Sequence, residues 1–190
     1  SDDRPGGVEI PLDRLAEYAA VDPETRGSLH PEVTGVAIGV PAALLEGGLT
    51  LIDTPGVGGL VSGHAAITMA TLARADALLF VVDGSSELTK SELTFLQEAA
   101  RQVATVVFVL TQIDTYPQWK SVLARNHALL AEHATAFARA PWYPVSNRYR
   151  LDAIRARERG DEAWADELHE RSGFRPLERE LREDIVRRAE

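Results

Sequence analysis

The chain has 190 residues, 45% of them apolar, and a formal net charge of −9, which fits one domain with a substantial core. The acidic balance argues against nucleic acid as a partner. No apolar run is long enough to span a bilayer, and the N-terminal Ser-Asp-Asp-Arg-Pro-Gly-Gly lacks the charge and apolar core of a secretory signal. Without cysteine there is neither a disulfide framework nor a thiolate metal site, so an intracellular setting is expected.

Residues 1–32 gather Pro, Gly and acidic side chains around one short helical stretch, Leu12 to Ala20. Val33 to Val40 is predicted as a strand closed by Pro41, and Gly47-Gly48 as a turn into a second strand, Leu49 to Asp53, so that the two pair antiparallel. A Gly-rich loop then leads to a helix around Ala65 to Arg74. Ala77 to Asp83 and Thr105 to Leu110 are apolar runs of the kind that form buried parallel strands. Between them, Thr89-Lys-Ser-Glu92 has the form of a capping box opening a helix with Leu93, Leu96 and Ala100 on one face.

A long helix is expected from near Pro117 to about Arg139, then a short strand, Trp142 to Val145. The remainder reads as helix, interrupted at Gly160. Leu151, Ile154, Trp164 and Leu168 mark one piece, and Phe174, Leu177, Leu181 and Ile185 form an i, i+3, i+4 stripe on the last. From residue 150 onward ten arginines stand among twelve acidic residues, which indicates a solvated, salt-bridged helical surface. Strands alternating with helices define an α/β protein with a mostly parallel central sheet covered on both faces. The five histidines show no metal-type spacing. Trp119, Trp142 and Trp164 read as packing residues.

Two segments carry the chemistry. Each is an apolar run ending in a small polar cluster with one aspartate, Asp53 or Asp114, and the two lie 61 residues apart with a strand-and-helix unit between them. Strands of this kind deliver carboxylates to the C-terminal edge of a sheet, where α/β proteins bind ligands, and the layout is that of a GTP-binding domain. Asp53 is placed near a Mg²⁺ ion and the Gly56 amide near a γ-phosphate oxygen, since glycine lets a backbone amide approach a phosphate without a Cβ in the way. Thr54 is assigned to the same nucleotide edge. Val57 stands where Ras-type enzymes carry a glutamine that orients the attacking water, which an apolar side chain cannot do.

Asp114, in Thr111-Gln112-Ile113-Asp114, can accept hydrogen bonds from the N1 and N2 donors of guanine, a pair that adenine lacks. Gln112 replaces the lysine whose stem usually covers the base, which predicts retained guanine selectivity with weaker affinity. Ser146, Asn147 and Arg148 follow the next strand and form the third base-side element by their place in the order.

These residues resemble the dynamin superfamily, specifically bacterial dynamin-like proteins. Val36 to Leu60 carries most of the likeness: a strand, a Pro-x-x-Leu-Leu excursion, then the aspartate strand followed by an apolar residue, Val57. Thr-Gln-Ile-Asp is similar to the dynamin Thr-Lys-Leu-Asp, and Ser146 to Arg148 to its Asn-Arg segment, with Asp152 at the corresponding downstream aspartate. The resemblance implies a P-loop NTPase-like G domain that binds GTP or GDP with Mg²⁺. It further implies hydrolysis of GTP to GDP and phosphate, homodimerisation through the G domain, and membrane remodelling through helical regions outside this segment. A cytoplasmic protein peripheral to the cell membrane follows from the same likeness. Residues 1–32 would then be an irregular lead-in, 33–149 the nucleotide-binding core and 150–190 helices leading toward a bundle.

The Gly-x-x-x-x-Gly-Lys-Ser/Thr loop is absent: Gly58 to Gly63 has the glycine spacing, but His64-Ala65 follows. Thr25 and Thr34 are the switch-threonine candidates by type. The expectation is a G domain incomplete at its N-terminus and little hydrolysis by these 190 residues alone. The rival expectation is a degenerate G domain acting as a non-hydrolysing dimerisation or scaffold module. A ribosome-associated GTPase is disfavoured, because there is no basic stretch for RNA.

Overall fold

Among the described residues Val106 to Leu110 is the most deeply buried stretch, every residue at or below 4% exposure, and the fold is built around it. The computed structural model describes residues 8–19, 30, 33, 35–54 and 69–185. They fall into two units, divided between Pro41 and Ala42.

In the first unit a 3-10 turn, Leu12–Arg14, runs into α1, Leu15–Ala19, as the sequence suggests. Arg14 pairs with Glu17 at 2.8 Å, and the Tyr18 and His30 rings stack at 4.5 Å. The strand expected at Val33 to Val40 does not form in the described residues, which lack regular structure. Val36, Ile38 and Val40 are 42%, 49% and 53% exposed. Alternating apolar residues favour a strand only when a ladder partner and a covering layer are supplied.

The second unit holds a three-stranded, wholly parallel sheet in the order β1 (Leu78–Asp83), β2 (Val106–Thr111), β3 (Trp142–Pro144). The register places Phe80, Phe108 and Trp142 side by side. Phe108 meets Phe80 edge-on at 5.7 Å and stacks on Trp142 at 4.5 Å, so an aromatic row crosses one sheet face. Two helices cover that face, α2 (Lys90–Ala99) through Leu93, Phe95 and Leu96, and α3 (Trp119–His133) through Leu130. The capping box opens α2 as predicted: the Glu92 carboxylate accepts from the Thr89 amide at 2.7 Å, and Thr89 Oγ1 accepts from the Glu92 amide at 3.3 Å. The expected long helix ends earlier, at His133, because Ala134 leaves helical geometry before a 3-10 turn, Thr135–Phe137.

On the opposite face, Val107, Val109 and Val145 pack against Leu177 and Leu181. These two come from α6 (Phe174–Arg179) and the π-helical segment that continues it, Glu180–Ile185. Leu44 and Leu49 join the same layer. The strand predicted at Leu49 to Asp53 nevertheless does not form, so the antiparallel pair is absent from the described residues. Leu51 and Ile52 are 55% and 61% exposed, with no ladder partner to hold them. Of the helix expected around Ala65 to Arg74, residues 69–72 are helical within the described part.

The chain closes with a helical hairpin, α4 (Asn147–Glu158) and α5 (Glu162–Ser172), turned at Gly160 with φ 80°. Its inner face is not the one the large apolar residues suggested. Ala153, Ala156, Ala165 and Leu168 are buried, whereas Leu151, Ile154 and Trp164 are 52%, 42% and 41% exposed. Small residues let the two backbones approach closely, and the larger side chains move outward.

Candidate functional site

Because all three strands run the same way, their carboxyl ends share one edge, and β1 ends there in Asp83 beside Thr111. The Thr111 hydroxyl donates to the Val82 carbonyl at 3.1 Å, and the Gly84 amide donates to the Thr111 carbonyl at 2.9 Å. Thr111 therefore ties β1 to β2, a structural role alongside the nucleotide contact assigned to it. Gly84 was not singled out by sequence: a Cβ there would lie 3.3 Å from both the Thr111 oxygen and the Trp119 Cβ. The Asp-Gly step that closes an apolar strand was its available signal.

Gln112 takes φ 60°, the one positive value among the described non-glycine residues. Its carbonyl accepts from the Thr115 amide at 2.9 Å and the Tyr116 amide at 3.2 Å, so the chain turns sharply and brings Asp114 back over the edge. Left-handed geometry outside glycine costs about 1–2 kcal/mol and clusters at functional sites.

The Asp114 side chain is 5% exposed. Burial pushes its carboxyl up, but hydrogen bonds from the Ser146 hydroxyl, its own backbone amide and Thr115, with the Arg148 guanidinium nearby, outweigh that and hold it below the ordinary value. Arg148 Nε lies 3.6 Å from Asp114 Oδ2, and Thr115 Oγ1 lies 3.3 Å from it. The edge thus holds a buried, ionised acceptor.

Ser146 is fully buried and caps α4, its Oγ accepting from the Tyr149 amide at 3.1 Å. Its own amide donates to the Ser172 carbonyl at 2.8 Å, and the preceding Val145 amide donates to Leu110 at 2.8 Å. Asn147 opens α4 and is exposed. The fold therefore brings Thr111, Gln112, Asp114, Ser146, Asn147 and Arg148 to one edge. Thr115 and Ser172 were missed: Thr115 touches its neighbour Asp114 and was open to sequence reasoning, whereas Ser172 acts through a contact with Ser146 that only the folded chain creates.

Asp53 is exposed and Thr54 half-buried, and Asp53 makes no hydrogen bond or ion pair with the described residues. Gly56, Val57, Thr25 and Thr34 lie outside the described residues. The described residues contain no cluster of three His, Cys, Asp or Glu that could hold a metal ion by itself. A lone exposed carboxylate fits a Mg²⁺ ion whose other ligands are water and phosphate oxygens, which is how that ion is usually bound.

A parallel α/β sheet presenting a buried ionised aspartate, a serine cap and an arginine beyond adjacent strand ends is the arrangement of a nucleotide-binding domain. The model of the dynamin family matches residues 12–114, more than half of the chain, and the chain belongs to that family. Membership implies guanine-nucleotide binding. The isoniazid-induced protein IniA of Mycobacterium tuberculosis is 35% identical over 182 residues, covering 96% of this chain and 26% of that protein. The probable transmembrane GTPase FZO-like, chloroplastic, of Arabidopsis thaliana is 29% identical over 133 residues, 68% of this chain and 14% of that protein. The chain spans about a quarter of the length of IniA. Among the described residues no helix is long and apolar enough to cross a membrane.

Proposed function

We propose that this chain is the guanine-binding part of a dynamin-like large GTPase that hydrolyses GTP to GDP and phosphate. The observation that carries the reading is the Asp114 carboxylate, nearly fully buried yet held ionised between the ends of β2 and β3. A buried anion of this kind gains from two convergent N–H donors, and guanine offers N1–H and N2–H side by side. Ser146 and Asn147 serve the O6 side, Gln112 covers the base, and Thr54 and Asp53 with Gly56 serve the phosphates. When bound, Mg²⁺ would neutralise developing charge on the phosphates, with Asp53 as its protein contact. Val57 leaves the attacking water to backbone groups or to a partner subunit.

Pairing of two such domains across the nucleotide, and membrane remodelling by regions beyond this segment at the inner face of the cell membrane, belong to the same reading. The Arabidopsis relative, named a probable transmembrane GTPase, supports it. Calorimetric titration of GDP and ADP tests it. GDP should bind and ADP should not, and Asp114→Asn should cost GDP about one to two orders of magnitude, the worth of a charge-assisted hydrogen bond. Equal binding of ADP would overturn the guanine assignment.

Gln112 favours a second reading, a degenerate G domain that dimerises or scaffolds without turnover, because the uncharged amide gives up the lysine's charge. Phosphate release from GTP by the intact protein separates the two. Sustained turnover excludes the scaffold, and nucleotide binding without turnover excludes the enzyme.

A further inference from the structure

The helical hairpin carries a groove of which the nucleotide reading uses only Arg148. Arg148, Asp152 and Arg155 on α4 and Arg159, which caps its C-terminus, follow one another at spacings of four, three and four residues, so they share one face. Trp164, Leu168 and Arg171 do the same on α5, and with Tyr149 the two stripes line an open groove of about 330 Å³. The close alanine packing beneath brings the stripes together as walls.

Charge is segregated around this hairpin. Glu162, Asp166 and Glu170 stand on another stripe of α5, where they pair with Arg157 at 3.1 and 2.9 Å and with Arg175. The groove instead holds four arginines against one aspartate, in a protein of net charge −9. Asp152 is satisfied by Arg155 at 3.2 Å, and Arg148 reaches its carboxylate neighbour Asp114 only at 3.6 Å. Arg159 has no carboxylate partner among the described residues. Arg171 has Glu167 at 3.6 Å, one turn back on α5, and its guanidinium lies 4.6 Å from the centre of the Tyr149 ring and donates to its hydroxyl at 3.2 Å, which orients its fork in advance.

We infer that this groove is a binding site for a phosphate-bearing ligand, with Arg155, Arg159 and Arg171 as its anion clamps and Trp164 as an apolar wall. Several arginines lining one open groove match a group that concentrates more than one negative charge on few atoms, as a phosphate monoester or diphosphate does. A single carboxylate would leave most of that field uncompensated. The shared chemistry is the phosphate group, free in solution or displayed by a lipid headgroup. The groove adjoins the guanine edge through Arg148, which lines both, but its three clamps Arg155, Arg159 and Arg171 have no part in the guanine reading.

Trp164, at the wall, makes the test direct. Sodium pyrophosphate is titrated against the protein while tryptophan fluorescence is followed, with Trp164→Phe identifying the responding residue. In parallel, vesicles of phosphatidylcholine with and without phosphatidic acid are tested by co-sedimentation. Arg155→Glu with Arg159→Glu should weaken binding at least about tenfold while leaving the thermal midpoint unmoved, and the corresponding lysine pair should lose less, since it keeps charge but not the fork. A saturable Trp164 response to pyrophosphate assigns a soluble phosphate. Binding confined to phosphatidic acid vesicles, with the same arginine dependence, assigns a headgroup. Binding that survives the charge reversal overturns the proposal, and so does arginine-dependent binding of a polyglutamate peptide where neither phosphate probe binds.

Discussion

Gly173 packs against Pro144 so closely that a β-carbon on the glycine would fall inside the contact radius of the proline carbonyl oxygen and 3.3 Å from its carbon. The approach joins the end of α5 to the end of β3, and Ser172 completes it by accepting the Ser146 amide at 2.8 Å. Ser146 in turn donates its hydroxyl to Asp114. The backbone geometry of one glycine, at φ 72°, therefore sets where the candidate base-reading carboxylate finds its partner.

Gly173→Ala should consequently destabilise the protein by about 2–4 kcal/mol, combining a left-handed non-glycine residue with overpacking against backbone that cannot rotate away. Urea denaturation measures it as a lower midpoint at unchanged slope. A wild-type midpoint would mean that the hairpin can move off β3 at no cost.

Ser146→Ala removes two functions at once. The lost cap on α4 should cost about 0.5–2 kcal/mol. Losing the hydroxyl donor should also let the Asp114 carboxyl rise toward its ordinary value, because burial then meets less opposition. The depressed carboxyl contributes stability above the unfolded-state pKa that is lost as pH falls through the folded one, so the variant should lose less on acidification. Carboxyl-carbon NMR titration of wild type and variant checks this, and an unmoved Asp114 titration would remove Ser146 from its set of donors.

How far the sequence could be read depended on which contacts decide each element. β1 and β2 were legible as continuous apolar runs, although only β2 is buried on both faces and β1 leaves Val81 56% exposed. The runs at Val33 to Val40 and Leu49 to Asp53 carry equal strand propensity, yet a strand needs a hydrogen-bonding neighbour and the described residues provide none. In the hairpin the burial was hidden, since Ala153, Ala156 and Ala165 give almost no pattern while exposed Leu151 and Ile154 give a misleading one. Asp114 and Ser146 were found by their order along the chain. Ser172 and Gly173 were not, because their part rests on contacts with Ser146 and Pro144 that no local motif records, while Thr115, next to Asp114, was within reach of a local reading.

The reciprocal cap at Thr89 and Glu92 should behave as a coupled pair. Thr89→Ala is expected to cost about 1 kcal/mol, and Thr89→Ser only a fraction of that, since the hydroxyl still accepts from the Glu92 amide. In a double-mutant cycle with Glu92→Ala the losses should fall short of additive, as each variant already breaks the shared box. Strict additivity would show that the two halves act independently.

His169 gives the protein a pH dependence in the mildly acid range. It is 9% exposed, and its Nδ1 lies 2.7 Å from Arg150 Nη1. Arginine can only donate, so the ring must be neutral, with Nδ1 accepting and its proton on Nε2. Burial, then the guanidinium groups of Arg150 and Arg175 and more weakly Arg157, push the imidazole below its usual value, while Glu178, itself paired with Arg150 at 2.8 Å, opposes them. With the folded pKa lowered, the unfolded chain binds the proton first. Stability should be fully present above about 6.5, the unfolded value, and decline as pH falls from there through the folded one. Urea midpoints measured from neutral pH down to pH of about 5 should drop in wild type and drop less in His169→Gln, whose amide accepts from Arg150 but takes up no proton. Parallel slopes in the two proteins would exclude His169 as the titrating group.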